Sequence, residues 1–165
     1  MGIIAFLLQD QPQNKGNLKG KIVLFMFRLA QLANRNFFIA LLLCIYLGFY
    51  HLMVEWFLGM ELPRKTKAGK GLIIYHGQAL VINQGVHLGD YCILRNSTTI
   101  GHKLLKDGTL SGCPKIGNYV DIGANVCIIG EITIGNNVKI GAGTVVIKNV
   151  PDNCTVVGNP ARIIA

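Results

Sequence analysis

Charged side chains are scarce in this chain: 15% of its 165 residues, while 51% are hydrophobic. That is apolar for a free monomer and asks for burial, either between copies of the chain or against a membrane. Acids are the scarcest, eight Asp and Glu against sixteen Lys and Arg, for a net charge of +8. A basic surplus suits nucleic acid, an anionic membrane surface or a phosphate-rich ligand. With no zinc-finger, RNA-binding or helix-turn-helix signature, a nucleic-acid partner is not expected. Paired cysteines are missing as well. Cys44, Cys92, Cys113, Cys127 and Cys154 are scattered, odd in number and never C-x-x-C. This argues against a disulfide framework and for reduced thiols in a cytoplasm. A leader is not expected: residues 1–9 are apolar, but Asp10 cuts them off without a small-residue cleavage site.

What is abundant is a period of six. Ile116, Ile122, Ile128, Ile134, Ile140 and Val146 open successive units, and Val120, Val126, Ile132, Val138, Thr144 and Val150 follow four residues later. Six fits neither a free helix nor a simple alternation. It fits a chain that turns a corner every six residues and stacks its coils, a hexapeptide β-helix. The same register is legible from Ile82 through Leu88, Leu94 and Ile100. Ile100 and Ile116 are sixteen apart, so a loop, roughly 101–115, is inserted; such loops gather on one face of a solenoid, often the binding face. The tail 158–165 leaves the coil at Gly158 and Pro160.

Residues 1–66 read as a helical cap and 67–165 as the solenoid domain. Residues 21–34 have helical spacing, with Arg28, Gln31 and Asn34 recurring on one side. Phe37 to Val54 contains one residue that ionises near neutral pH, His51. Eighteen apolar residues are at the lower bound of a membrane span. The short run and Glu55 at its end favour a cap packed against copies of itself. The other reading sets it on the inner face of the membrane, with Arg28, Arg35, Arg64, Lys65, Lys67 and Lys70 toward anionic headgroups.

Among four histidines, His51 reads as structural and His87 as a surface residue, while His76 and His102 flank the chemistry-bearing region. Residues eighteen apart stack in such a coil, and Glu61 lies fifteen before His76. That spacing allows a carboxylate beside the imidazole, fixing its tautomer and freeing the other nitrogen as a base. His76, His87 and His102 are three, as a zinc site needs, but no pair is eighteen apart and no metal is expected. A non-enzymatic scaffold would need neither the insertion nor the Glu61–His76 pair.

The solenoid, the insertion, YHG at 75–77, CPKIGNYVDIGANV at 113–126 and GNPARI at 158–163 resemble the hexapeptide acyltransferases of the serine acetyltransferase superfamily. WFLGMEL at 56–62, HGQALVIN at 76–83 and VPDNCTVVGNPARI at 150–163 are similar to the colanic-acid-type exopolysaccharide acetyltransferases. The resemblance implies a left-handed parallel β-helix, a homotrimer with sites between solenoids, and acetyl-CoA as acyl donor. It places the catalytic histidine on His76 and its carboxylate partner on Glu61, where serine acetyltransferases have Asp. The CoA channel falls on Gly123, Ala124, Gly141 and Ala142. Arg162, Lys139 and Lys148 are its candidates for the CoA phosphates. The tetrahedral oxyanion also needs donors, for which backbone N–H groups near Gly101 are the expectation from the chemistry.

Serine acetyltransferases carry an Asp before the catalytic histidine and an Arg-His pair after the insertion. Tyr75, Gly112 and Cys113 occupy those positions here. An uncharged site with an aromatic ring suits a sugar better than a zwitterion. The expected activity is O-acetylation of a sugar hydroxyl in a polysaccharide precursor, with L-serine acetylation as the alternative.

Overall fold

A computed structural model describes residues 2–164, so Met1 of the cap and Ala165 of the tail lie outside the described residues. From residue 60 the chain winds as a parallel solenoid with three faces. The first holds β1 (Met60–Glu61), β4 (Leu80–Ile82), β7 (Thr99–Gly101), β10 (Cys127–Ile129) and β13 (Val145–Val146). The second holds β2 (Lys67–Ala68), β5 (His87–Leu88), β8 (Lys115–Ile116) and β11 (Thr133–Ile134). The third holds β3 (Ile73–Tyr75), β6 (Ile93–Arg95), β9 (Asp121–Ile122), β12 (Lys139–Ile140) and β14 (Thr155–Val157). The tail folds back there as β15 (Arg162–Ile163), antiparallel to β14.

The six-residue register is the inward register. Every hexad opener from Ile116 to Val146 is buried, as are Val120, Val126, Val138, Thr144 and Val150; Ile132 is half-buried. Thr144 reconciles its hydroxyl with the core by donating to Gly141 O at 2.7 Å.

Coil length varies, and the variation places the site. Stacked partners are eighteen apart for Val81↔Thr99, Asp121↔Lys139 and Cys127↔Val145. They are twenty-eight apart for Thr99↔Cys127 and His87↔Lys115, because the inserted loop adds ten. They are twenty apart for Lys67↔His87 and Ile73↔Ile93, so the first coil carries two extra residues. Tyr75 pairs with Arg95, and Ser97 N donates to Gln78 O as Asn125 N does to Asn96 O in the next coil. Gln78 therefore stacks on Asn96, and His76 and Gly77 have no counterpart.

The cap comprises α1 (Ile3–Leu8), α2 (Leu18–Leu32), α3 (Phe37–Leu42), α4 (Cys44–Tyr50) and a π-helical run, His51–Phe57. Gly59, at φ 62°, ends the helices, and Met60 already pairs with Leu80. The solenoid thus begins at 60, ahead of the boundary expected after residue 66. Polar residues of α2 reach the solenoid beside its buried apolar side, Val23, Leu24, Phe27 and Ala30. Arg28, 1% exposed, pairs with Asp10 at 2.7 Å and donates to Ala68 O at 2.9 Å. Gln31 Nε2 donates to Thr66 O and Asn34 Nδ2 to Arg64 O. Arg28 is therefore a buried strut and is unavailable to lipid headgroups. Among the described residues no helix is long and apolar enough to cross a membrane; Leu43 and His51 divide the apolar run.

Candidate active site

The two extra residues put His76 on display. Tyr75 ends β3, and Gly77 N donates back to Tyr75 O at 2.8 Å across the histidine. His76 has φ 65° and Gly77 φ 76°. A three-residue turn with positive φ at its centre is the rare, strained form of γ-turn, and such strain gathers at functional sites. The bulge extrudes His76 from the corner between the third and first faces, where its side chain is exposed.

The cap braces this corner. Asn17 Nδ2 donates to Ile74 O at 2.8 Å and Asn14 Nδ2 to Leu72 O at 2.9 Å, tying the start of α2 to β3. With its amide turned to suit both neighbours, Gln78 donates to His76 O at 3.0 Å and accepts from Lys19 Nζ at 3.1 Å. Tyr75 is held from below: Arg95 lies 5.8 Å from its ring centroid and is ion-paired with Asp121.

The expected Glu61–His76 pair does not form within this chain. Among the ion pairs of the described residues there is none between them. The bulge lengthens the coil, so Glu61 stacks over Val81 on the first face, beyond the bulge.

A column of small residues runs along the corner that carries His76. Asn96, Ala124, Ala142 and Gly158 occupy successive levels, and stacked strands are about 4.8 Å apart. The coils approach closely: a Cβ on Gly123 would lie 2.6 Å from Ala142 N, and one on Gly141 2.8 Å from Val157 Cγ1. Arg162 closes the far end, its Nε 4.0 Å from where a Gly158 Cβ would be. Arg162 and Lys148 also line a cavity of about 550 Å3 at the last coil. Lys139, exposed on β12, is outside that cavity.

Gly101 and Cys113 stand elsewhere, on the corner between the first and second faces. That corner is about 13 Å from His76's, the span of a short strand at roughly 3.3 Å per residue. Gly101 therefore lies on a different corner from its own chain's His76, and Cys113, bonded to Asn83, shares that corner. Asn83, which the sequence did not single out, organises this second corner. Gly85 N donates to Asn83 Oδ1 at 3.0 Å, fixing the amide's orientation. Asn83 Nδ2 then faces His102 Nδ1 at 3.0 Å, so Nδ1 accepts and Nε2 carries the ring proton. Cys113 Sγ donates to the same Oδ1 at 3.3 Å, and partial burial pushes its thiol pKa up. Only the i, i+19 spacing of Asn83 and His102 could have signalled this pair, and the register must be known first. Among the described residues no three His, Cys, Asp or Glu side chains gather as a metal set.

No family model matches the chain. It is 38% identical over 161 residues to a protein named as a colanic acid biosynthesis acetyltransferase, WcaB, of Escherichia coli K12, covering 95% of this chain and 98% of that one. It is 41% identical over 106 residues to a Synechococcus elongatus serine acetyltransferase, covering 64% of this chain and 43% of the other. Among solved structures, soybean serine acetyltransferase superposes with a TM-score of 0.82 at 28% identity, covering 98% of this chain and 69% of that one. The solenoid is of the left-handed parallel β-helix class of those structures. A coil that interrupts its own register to extrude a histidine, joined to near full-length likeness, makes this chain a hexapeptide-repeat acetyltransferase of the serine acetyltransferase superfamily, grouped with the colanic-acid-type enzymes.

Proposed function

We propose that the protein transfers acetyl from acetyl-CoA to a sugar hydroxyl of a polysaccharide precursor, with His76 as general base. The observation that carries the chemistry is the two-residue bulge that presents His76. A thioester is an activated acyl donor, but an alcohol holds its proton at neutral pH. His76 takes that proton as the hydroxyl oxygen bonds to the acetyl carbon. The C–S bond then breaks and the departing CoA thiolate recovers the proton from the imidazolium. Such positioned proton transfer contributes roughly 100- to 10,000-fold.

The small-residue column supports the donor's course: Ala124 and Ala142 add only methyl groups between His76 and Arg162, whose guanidinium suits a phosphate. The likeness to WcaB over nearly all of both chains supports a glycan acceptor. So does the local chemistry, in which Tyr75, Gly112 and Cys113 offer no charge to a zwitterion. Asn83, His102 and Cys113 are a strand's width from His76 in one chain, which supports a site completed between neighbouring copies of a homotrimer. That reading brings the His102 Nε2–H of one copy toward His76 of the next. Five free thiols suit a reducing cytoplasm.

The test compares acetyl transfer to lipid-linked or free oligosaccharide with transfer to L-serine. Turnover of the glycan alone is expected; efficient turnover of serine overturns the acceptor assignment. His76→Ala is expected to lower turnover by at least about 100-fold while acetyl-CoA binding, read by calorimetry, is unchanged. Near wild-type turnover in that variant ends the assignment of the base.

A further inference from the structure

The cap turns an apolar surface away from the rest of the chain. Along α3, α4 and the π-helical run, one side packs inward: Tyr46 Oη donates to Met26 O, Tyr50 Oη to Leu62 O, and Val54 is buried. The other side is open. Phe38, Leu42, Ile45, Trp56 and Phe57 are 78%, 82%, 87%, 76% and 77% exposed. An apolar cavity of about 490 Å3 joins Met53 and Phe57 to Leu18 and Ile22 of α2. Exposed apolar area of this extent marks an interaction site.

Its border is basic. Lys19 lies at the edge of the apolar cavity, with Lys15 and Lys21 nearby in sequence. Arg35, Arg64, Lys65 and Lys67 line a cavity of about 780 Å3 beside the start of α3. No acid occurs from 11 to 54. Glu55 meets His51 at 2.7 Å, and Asp10 is buried against Arg28. A second copy packed face to face would bring two such basic borders together, which like-charge repulsion opposes. An anionic bilayer complements both parts: acyl chains meet the aromatic centre and phosphates meet the rim.

We infer that the outer face of the cap is a monotopic docking surface for an anionic phospholipid bilayer, with Phe38, Ile45 and Trp56 entering the interface. This goes beyond the transfer reaction and does not depend on it. Docking would hold the enzyme where glycans are carried on lipid.

Trp56 is the single tryptophan of the chain, so its emission reports this surface alone. The full-length protein is titrated with phosphatidylcholine vesicles and with vesicles containing about 30% phosphatidylglycerol. Expected are a blue shift of Trp56 and quenching by brominated acyl chains in the anionic vesicles, both weakened as salt rises from about 0.05 to 0.5 M. Phe38→Glu with Ile45→Glu should weaken vesicle affinity at least about tenfold. Far-UV circular dichroism and acetyl-CoA binding should be unchanged, since both side chains are exposed. Two outcomes overturn the inference: emission indifferent to anionic vesicles, or a wild-type assembly that the double variant splits in sedimentation, which shows a second copy covering this face.

Discussion

At the scale of single residues, Gly77 decides how the imidazole is offered. Its φ of 76° is one that L side chains rarely adopt. A Cβ there would also lie 2.7 Å from Met60 Sδ and 3.1 Å from Ile74 Cγ2, both part of the first coil's core. Alanine at this position strains the turn that offers His76 and crowds Met60 and Ile74. Gly77→Ala is expected to cost about 1–3 kcal/mol of stability in thermal unfolding. It should also lower turnover at least about tenfold through misplacement of the base. Acetyl-CoA affinity should stay level, because the small-residue column lies in later coils. Unchanged turnover would mean that the turn geometry is incidental.

At the scale of elements, α2 buries an apolar side, Val23, Leu24, Phe27 and Ala30, and adds polar residues to the same contact. Its polar residues Arg28 and Gln31 turn to the solenoid, while Leu18 and Ile22 remain exposed. The reason lies in the first coil, whose backbone has no coil beneath it. Ala68 O, Gly69 O and Leu72 N would be left without strand partners, and Arg28 and Asp10 supply them. The helix is thus the end cap that a solenoid requires. Removing one member of a buried, hydrogen-bonded pair leaves the other charge uncompensated. Arg28→Met is expected to cost about 3–5 kcal/mol in urea unfolding, and Arg28→Met with Asp10→Leu should recover part of that loss. A single variant as stable as wild type would refute the strut.

At the scale of the whole molecule, the proposed homotrimer accounts for the division of polar groups between two corners. A trimer that seats one copy's second corner against the next copy's His76 would resolve it. Sedimentation is expected to give a particle of about 54 kDa, three times the 18.0 kDa chain. Co-expression of His76→Ala with Asn83→Ala should restore turnover that neither variant has alone, because a mixed trimer contains one site with both groups intact. A fully active monomer, or no complementation in mixed trimers, would place the whole site within one chain.

Much of the architecture was determined by sequence alone. Burial in a stacked coil depends only on which residues face inward, and the hexads from Ile116 to Val146 state that directly. The sixteen-residue gap to Ile100 revealed the inserted loop for the same reason. What only the tertiary structure decided are the relations between coils. Which residue stacks on which depends on how many residues each coil contains, and a two-residue bulge at His76 and Gly77 alters that count without leaving a periodic mark. Hence Glu61 stacks over Val81 instead of meeting His76, and the solenoid starts at Met60. Hydrogen bonds such as Asn83–His102 join residues of different coils, and no pattern along the chain records them. The apolar face of the cap was legible as composition, but the inward turn of Arg28 and Gln31 was set by the unpaired backbone of the first coil, which they and Asp10 satisfy.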